Sequence, residues 1–243
     1  TNLDGDLRDL VPPDFASFFG PTTSILVSGE VGGDAPLEVD TLEIETDAIA
    51  IDGGFTLAPS GWPDRISLDL RIEQGEGRRV RLPVPDLPVY LDSAKLVVGF
   101  DAGVSDDWQV GGSLKGLEIG NNAIAETTLD AGGRLALPDS SNGPEADGTL
   151  ELSVDGLSLE DEGLKELLGE KVDLSTSFNW SDGDPLKIEG LKADANRLSL
   201  VADMLLSEFA EGIDLQLDAG VAVSDLSTAS RLAGLPLEGS LEG

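Results

Sequence analysis

Carboxylates are the only side chains numerous enough here to suggest acid–base chemistry. The 243-residue chain carries 47 Asp and Glu against 15 Lys and Arg. Glu43, Glu45 and Asp47 follow one another at alternate positions. Paired carboxylates can cleave a glycosidic bond when one is protonated and the other ionised. These three stand out only because acids are common throughout. The turn Ser181-Asp182-Gly183-Asp184 offers oxygen ligands to calcium, but neither an EF-hand loop nor the Gly/Asp nonapeptide of calcium-binding β-rolls is present. Histidine and cysteine are absent. That removes the commonest general base, the thiolate nucleophile, disulfides and nearly all zinc chemistry. No nucleophile elbow, phosphate loop or dinucleotide fingerprint occurs. The expectation is not an enzyme: no catalytic residue, no cofactor and no metal site.

The net charge of −32 repels a phosphate backbone, so no nucleic acid is expected as partner. Electrostatic adhesion to anionic lipid heads is disfavoured for the same reason. The acid is spread along apolar runs such as Leu68-Asp69-Leu70 and Leu215-Gln216-Leu217-Asp218, which places it on a solvated outer face. Such self-repulsion is weaker in salt, since the screening length falls from about 8 Å at 0.15 M to about 3 Å at 1 M. The one basic cluster, Arg78, Arg79 and Arg81, lies in the irregular patch Gly75 to Pro88. It is expected to neutralise nearby carboxylates, the alternative being an acidic partner or a lipid phosphate.

Hydrophobic residues make up 40% of the chain and aromatic ones only 5%, so the interior is aliphatic and the chain globular rather than disordered. Alternation with period two dominates and marks strands with one buried face. Ile66, Leu68, Leu70 and Ile72 point one way, as do Leu150, Leu152 and Val154, and Ile213 to Val223 at every second position. The phase slips between Val39 and Leu42 and again between Ile188 and Leu191, which predicts a bulge or a short turn at each. Gly32-Gly33-Asp34, Asp52-Gly53-Gly54, Gly111-Gly112, Ala131-Gly132-Gly133 and Ser181 to Asp184 read as turns between short antiparallel strands.

Helices are few. Pro12-Pro13 opens one carrying Phe15, Phe18 and Phe19, with Gly20 as its stop. Ser158 and Asp161 have capping-box spacing before Leu164, Leu167 and Leu168, and Gly169 closes that helix. A third is predicted over Leu226 to Ala233. Gly20 to Asp69 is echoed without a gap by Gly169 to Asp218, at a constant offset of 149 residues. Gly20 matches Gly169, Pro36 matches Pro185, Leu42 matches Leu191 and Asp69 matches Asp218. Such a repeat of supersecondary units predicts two related modules, 1–138 and 145–243, joined by the Pro/Ser/Gly-rich segment 139–144. No run of about 20 apolar residues is present to span a membrane as a helix.

The fold class expected is all-β, mostly antiparallel: an elongated curved sheet, a taco-like β-groove of repeated modules, with a few short helices. Its inward lining is predicted to comprise Val39, Leu42, Ile44, Ile49, Ile51, Ile66, Leu68 and Leu70, with Ile188, Leu191, Leu198, Leu200, Leu215 and Leu217 as counterparts. An open aliphatic lining calls for an occupant. Phospholipid acyl chains fit: about 0.8 kcal/mol per buried CH₂ gives a ~16-carbon chain on the order of 10 kcal/mol gross. Sliding along a continuous lining costs little, because each step exchanges like for like.

Three segments carry a family resemblance. They are Leu3-Asp4-Gly5-Asp6-Leu7 with Val11-Pro12-Pro13 and Phe18-Phe19-Gly20; Gly61-Trp62-Pro63-Asp64-Arg65; and Asp225-Leu226-Ser227 with Leu232-Ala233-Gly234-Leu235-Pro236-Leu237-Glu238-Gly239. Together they resemble the TamB family, the AsmA-like, periplasm-spanning subunits of the translocation and assembly module. The resemblance implies an internal periplasmic piece of a longer protein anchored in the inner membrane. It also implies a hydrophobic β-groove, a partner β-barrel in the outer membrane that engages other regions, and roles in phospholipid transport between membranes and in outer-membrane biogenesis. The alternative function is a scaffold that pairs with strands of outer-membrane proteins without carrying lipid.

Overall fold

Period-two alternation becomes strand in nearly every segment where it occurs. The structure, a computed structural model, describes residues 1–6, 8, 12, 16–31, 36–84, 87–138, 143–207, 214–224 and 241–242. The fold is all-β and antiparallel with short helices, and the chain divides into two compact units, Thr1–Gly120 and Asn121–Gly243.

The first unit contains β1 (Asn2–Gly5), α1 (Ala16–Phe19), β2 (Thr23–Val31), β3 (Leu37–Glu45), β4 (Ile49–Leu57) and β5 (Pro63–Glu73). After a single 3₁₀ turn come β6 (Val80–Leu82), β7 (Val89–Leu91), β8 (Ser93–Asp101) and β9 (Ser105–Ile119). Its strands pair in the order β1-β2-β3-β4-β5-β8-β9, with β6 and β7 as a side ribbon bonded to the end of β9. The second unit contains β10 (Asn122–Ala136), β11 (Glu145–Asp155), α2 (Glu162–Leu168), β12 (Lys171–Ser181) and β13 (Leu186–Asp194). β14 (Leu198–Ser207), β15 (Asp214–Val223) and β16 (Leu241–Glu242) complete it, paired in sequence order.

The repeat is written in hydrogen bonds more than in residue identities. Ala48 N–H donates to Phe18 O at 3.2 Å, and Arg197 N–H donates to Leu167 O at 2.9 Å, both partners 149 residues on. Thr46 N–H to Ile49 O is matched by Ala195 N–H to Leu198 O. Leu3 faces Ile25 as Leu152 faces Leu174, so β1 corresponds to β11 and the repeat starts earlier than Gly20. Gly20 and Gly169 end the two helices with φ of 57° and 70°, a conformation cheap only for glycine. A Cβ at either would stand 2.4 Å from Asp47 Cβ or 2.7 Å from Asn196 Cβ. The offset is not constant to the end. Ile51 faces Leu70, whereas Leu200 faces Val221, so the offset has grown to 151 by β15. Asp69 therefore corresponds to Gly220, not Asp218: Asp69 faces Asp52, and Gly220 faces Val201.

Both phase slips are bulges rather than turns. Register shifts fall between Val39 and Leu42 and between Ile188 and Leu191, so Asp40 and Thr41 together oppose Gly54, and Glu189 and Gly190 oppose Asp203. Other expectations are corrected. Asp52-Gly53-Gly54, Gly111-Gly112 and Ala131-Gly132-Gly133 lie inside β4, β9 and β10. At three of these glycines backbone, not turn geometry, excludes a side chain: a Cβ would meet Ser67 O at 2.0 Å from Gly53, Val39 O at 2.6 Å from Gly54 and Asp147 O at 1.9 Å from Gly133. The cap of α2 is Asp161, whose Oδ1 accepts from Leu164 N–H at 2.8 Å. Ser158 instead bridges Ala123. The division between units follows Gly120 rather than 138. β10 and β11, on either side of 139–144, pair from Glu126↔Asp155 to Ala136↔Glu145, and Pro/Ser/Gly composition serves a hairpin connection as readily as a linker. Residues 139–142, Gly32-Gly33-Asp34, Phe15, Ile213, the helix predicted over Leu226 to Ala233 and the motif Asp225 to Gly239 lie outside the described residues.

Packing is tightest beside α1. Phe18, Ala48, Val80 and Leu91 form a buried cluster, with Phe19, Ile49, Ile72, Leu82, Ala94 and Leu117 against it. The ribbon β6–β7 and the short helix thus close one end of the strands.

Candidate functional site

Residues directly opposite one another in antiparallel strands share a face. The register therefore sorts every side chain. In the first unit Leu3, Ile25, Ile44, Ile51, Leu70, Leu96 and Gly112 form one row across the sheet. Val27, Leu42, Gly53, Leu68, Val98 and Val110 form the next, and Val39, Phe55, Ile66, Phe100 and Trp108 the third. Ile49 faces Ile72 on the same side. In the second unit Leu129, Leu152, Leu174, Ala193, Leu200 and Val221 make a row. Leu191 faces Ala202, and Leu198 faces Val223. Gly133, Gly148, Phe178, Ile188, Met204 and Leu217 make another row, and Leu206 faces Leu215.

Each of the fourteen residues expected to line a groove therefore sits on the aliphatic face of its own unit. Sequence reading missed much of that face: Leu96, Val98 and Phe100 of β8, Trp108 and Val110 of β9, and Leu129 and Leu174. Their period-two alternation was the available signal.

The aliphatic face is shielded but not sealed. Of the fourteen, only Val39 is buried (8% exposed); Leu215 and Leu217 are 52% and 58% exposed, and the remainder are half-buried. Among the described residues no second sheet and no long helix lies over either unit's face. Half-exposed aliphatic rows are what lateral packing within one sheet produces; a closed core buries such side chains almost fully.

Comparison with protein-family models, with curated proteins and with solved structures gives no match.

The opposite face is charged. Arg71 and Lys95 reach the two oxygens of Asp69 at 3.0 and 3.6 Å. Lys192 Nζ lies 2.8 Å from Asp194, and Ser199 Oγ donates to the same carboxylate. Ser153 Oγ donates to Asp173 at 2.6 Å, with Lys171 Nζ 3.3 Å away. The Ser153 hydroxyl, and after it Lys171, hold the Asp173 carboxyl below the usual carboxylate range. Lys192, then Ser199, do the same for Asp194. A depression of about 450 Å³ opens over Thr128, Asp130, Glu151, Ser153, Asp173, Ser175, Lys192 and Asp194. One of about 200 Å³ lies over Glu43, Glu45, Asp52, Asp69 and Arg71. Polar residues dominate both linings, which also include Leu129, Leu152 and Leu174 in the first and Ile44 and Ile51 in the second, and neither gathers a set of three or more ligands able to hold a metal ion among the described residues.

Two residues of the basic cluster, Arg79 and Arg78, meet carboxylates of this chain. Arg79 Nη1 donates to Glu118 at 2.6 Å and its Nε to Asp92 at 3.1 Å, which raises its own pKa, the Glu118 bond most. Arg78 sits 3.9 Å from Asp47.

Proposed function

We propose that the aliphatic face holds phospholipid acyl chains and lets them move from row to row. On this reading the protein is a periplasmic β-groove segment of the TamB kind, conducting phospholipid between inner and outer membranes and supporting outer-membrane assembly. A barrel partner in the outer membrane and an inner-membrane anchor would engage segments outside these residues. The observation that carries the reading is the run of aliphatic cross-strand pairs, from Leu3 to Leu96 in one unit and from Leu129 to Val221 in the other. Their side chains are mostly neither buried nor free. Each CH₂ moved onto such a surface gains up to about 0.8 kcal/mol, and neighbouring rows offer similar gains, so holding and sliding are compatible. No helix among the described residues is long and apolar enough to cross a membrane.

Native mass spectrometry of protein purified without detergent tests this. Phospholipid adducts are expected on the wild type. Leu217→Arg, at an exposed position of the face, is expected to keep the circular dichroism of the wild type and lose most of the adduct. A folded Leu217→Arg protein with undiminished phospholipid would overturn the reading.

A further inference from the structure

Aromatic residues are not spread evenly over the two faces. In the first unit Phe55, Phe100 and Trp108 share one row with Val39 and Ile66, at the strand ends far from α1. Trp62 stands at that same end, in the turn between β4 and β5, where Ala58 N–H donates to Trp62 O at 2.8 Å. In the second unit Phe178 and Trp180 occupy the end of β12 far from α2. All three tryptophans of the chain thus lie away from the helices. The rows between them and α1 are aliphatic, as at Ile51 and Leu70 or Leu68 and Val98.

A polar group would meet different surroundings at the two ends. At the helix end Ile49, Ile72 and Ala94 run into the buried apolar cluster of Phe18, Ala48, Val80 and Leu91. At the other end Phe100 is buried, while Trp62 and Trp108 are half-buried and form a lip. An indole is apolar across its rings yet carries an N–H, which suits it to a boundary between oil and water. Just past the lip the chain runs through Asp64, Asp101, Asp106 and Asp107, with Arg65 as the base among them. In the second unit Trp180 is followed by Asp182 and Asp184, both exposed. Ile66 and Ile72 are six residues apart on β5, roughly 20 Å of strand. The acyl chains of one leaflet span about 15 Å, half of a bilayer's hydrocarbon core, so a tail fits between the lip and the cluster. We infer that a phospholipid sits on each face in one sense, its tail toward the helix and its headgroup at the tryptophan end. That end favours an ammonium-bearing, zwitterionic headgroup over a net anionic one, because carboxylates and aromatic faces both attract an ammonium. This inference rests on the acyl-chain reading and adds a polarity and a headgroup class to it.

Tryptophan emission reads the polarity, because bromine quenches only at close range. The full chain is loaded from vesicles of phosphatidylcholine brominated either near the ester or near the methyl end of its tail, then separated from them. Native mass spectrometry measures the lipid carried. Wild-type tryptophan emission arises at the lip alone and is expected to show the larger loss with ester-proximal bromine. A protein carrying Trp62→Phe, Trp108→Phe, Trp180→Phe and Leu70→Trp is expected to show the reverse, since the rows of Trp108 and Leu70 stand about 14 Å apart along the strands. Vesicles of phosphatidylglycerol are expected to load less lipid than those of phosphatidylcholine at low salt. Equal or inverted quenching of lipid-loaded wild type would overturn the polarity, whether or not the Leu70→Trp protein folds. Equal loading from the two kinds of vesicle would overturn the headgroup preference. A mass spectrum without lipid would instead overturn the acyl-chain reading, and this inference with it.

Discussion

Phe18 and Leu217 are both large and apolar, but Phe18 is 4% exposed and Leu217 is 58% exposed. Phe18→Ala is expected to cost about 3–5 kcal/mol, because a cavity opens among Ala48, Val80 and Leu91. Leu217→Arg should change stability by no more than about 0.5 kcal/mol. Urea denaturation of the two variants measures the contrast. The carboxylates give a pH prediction. Asp173 and Asp194 titrate lower in the folded protein than as free carboxyls. A lowered folded value means the stabilisation is complete above the unfolded value of about 3.9 and is lost as pH falls through the folded one. Denaturation midpoints should therefore drop below about pH 4, and Asp194→Asn should flatten part of that drop. At this scale the sequence was legible where alternation was regular, as at Ile66 to Ile72. It was not legible for the reach of Arg79, whose partners Asp92 and Glu118 are distant in the chain and adjacent only after β7 pairs with β9.

The two bulges are one element stabilised in two ways. In β13 Gly190 N–H donates to Asp203 Oδ1 at 2.7 Å. In β4 the equivalent of Asp203 is Gly54, whose missing side chain lets the Val39 carbonyl come close. Asp203→Ala should cost about 1 kcal/mol, one charge-assisted bond at an exposed site. Gly54→Ala should cost about 1–3 kcal/mol through overpacking against backbone. Thermal melts of the pair distinguish these effects. The phase slips from Val39 to Leu42 and from Ile188 to Leu191 announced the bulges, because an inserted residue necessarily inverts the alternation. The glycines of β4 and β10 misled, since a residue type that suits turns also suits close backbone approach within a sheet. Ser158 misled for a similar reason: its spacing to Asp161 fits a cap, but strand pairing with Ala123 claims it first.

For the whole molecule the net charge of −32 sets the response to salt. Screening at 1 M NaCl shortens the range of repulsion to about 3 Å, so the melting temperature should rise between low and molar salt; a flat calorimetric profile would contradict this. The all-β class was readable from periodicity because one aliphatic face per strand leaves a direct trace. The division after Gly120 was not, because the Pro/Ser/Gly-containing segment 139–144 lies between β10 and β11, which pair with each other. The rows through β8, β9 and β10 were not legible from the repeat, because those strands lie outside the echo of Gly20 to Asp69 by Gly169 to Asp218.

Gly20 and Asp47 are twenty-seven residues apart, as are Gly169 and Asn196, and in each pair the side chain leaves no room for a Cβ on the glycine. That fixed interval works as a ruler. A glycine just after a short apolar helix, followed by Asp or Asn at the same interval and a strand two residues later, would count further copies of this unit in any polypeptide, even where residue identity has decayed away.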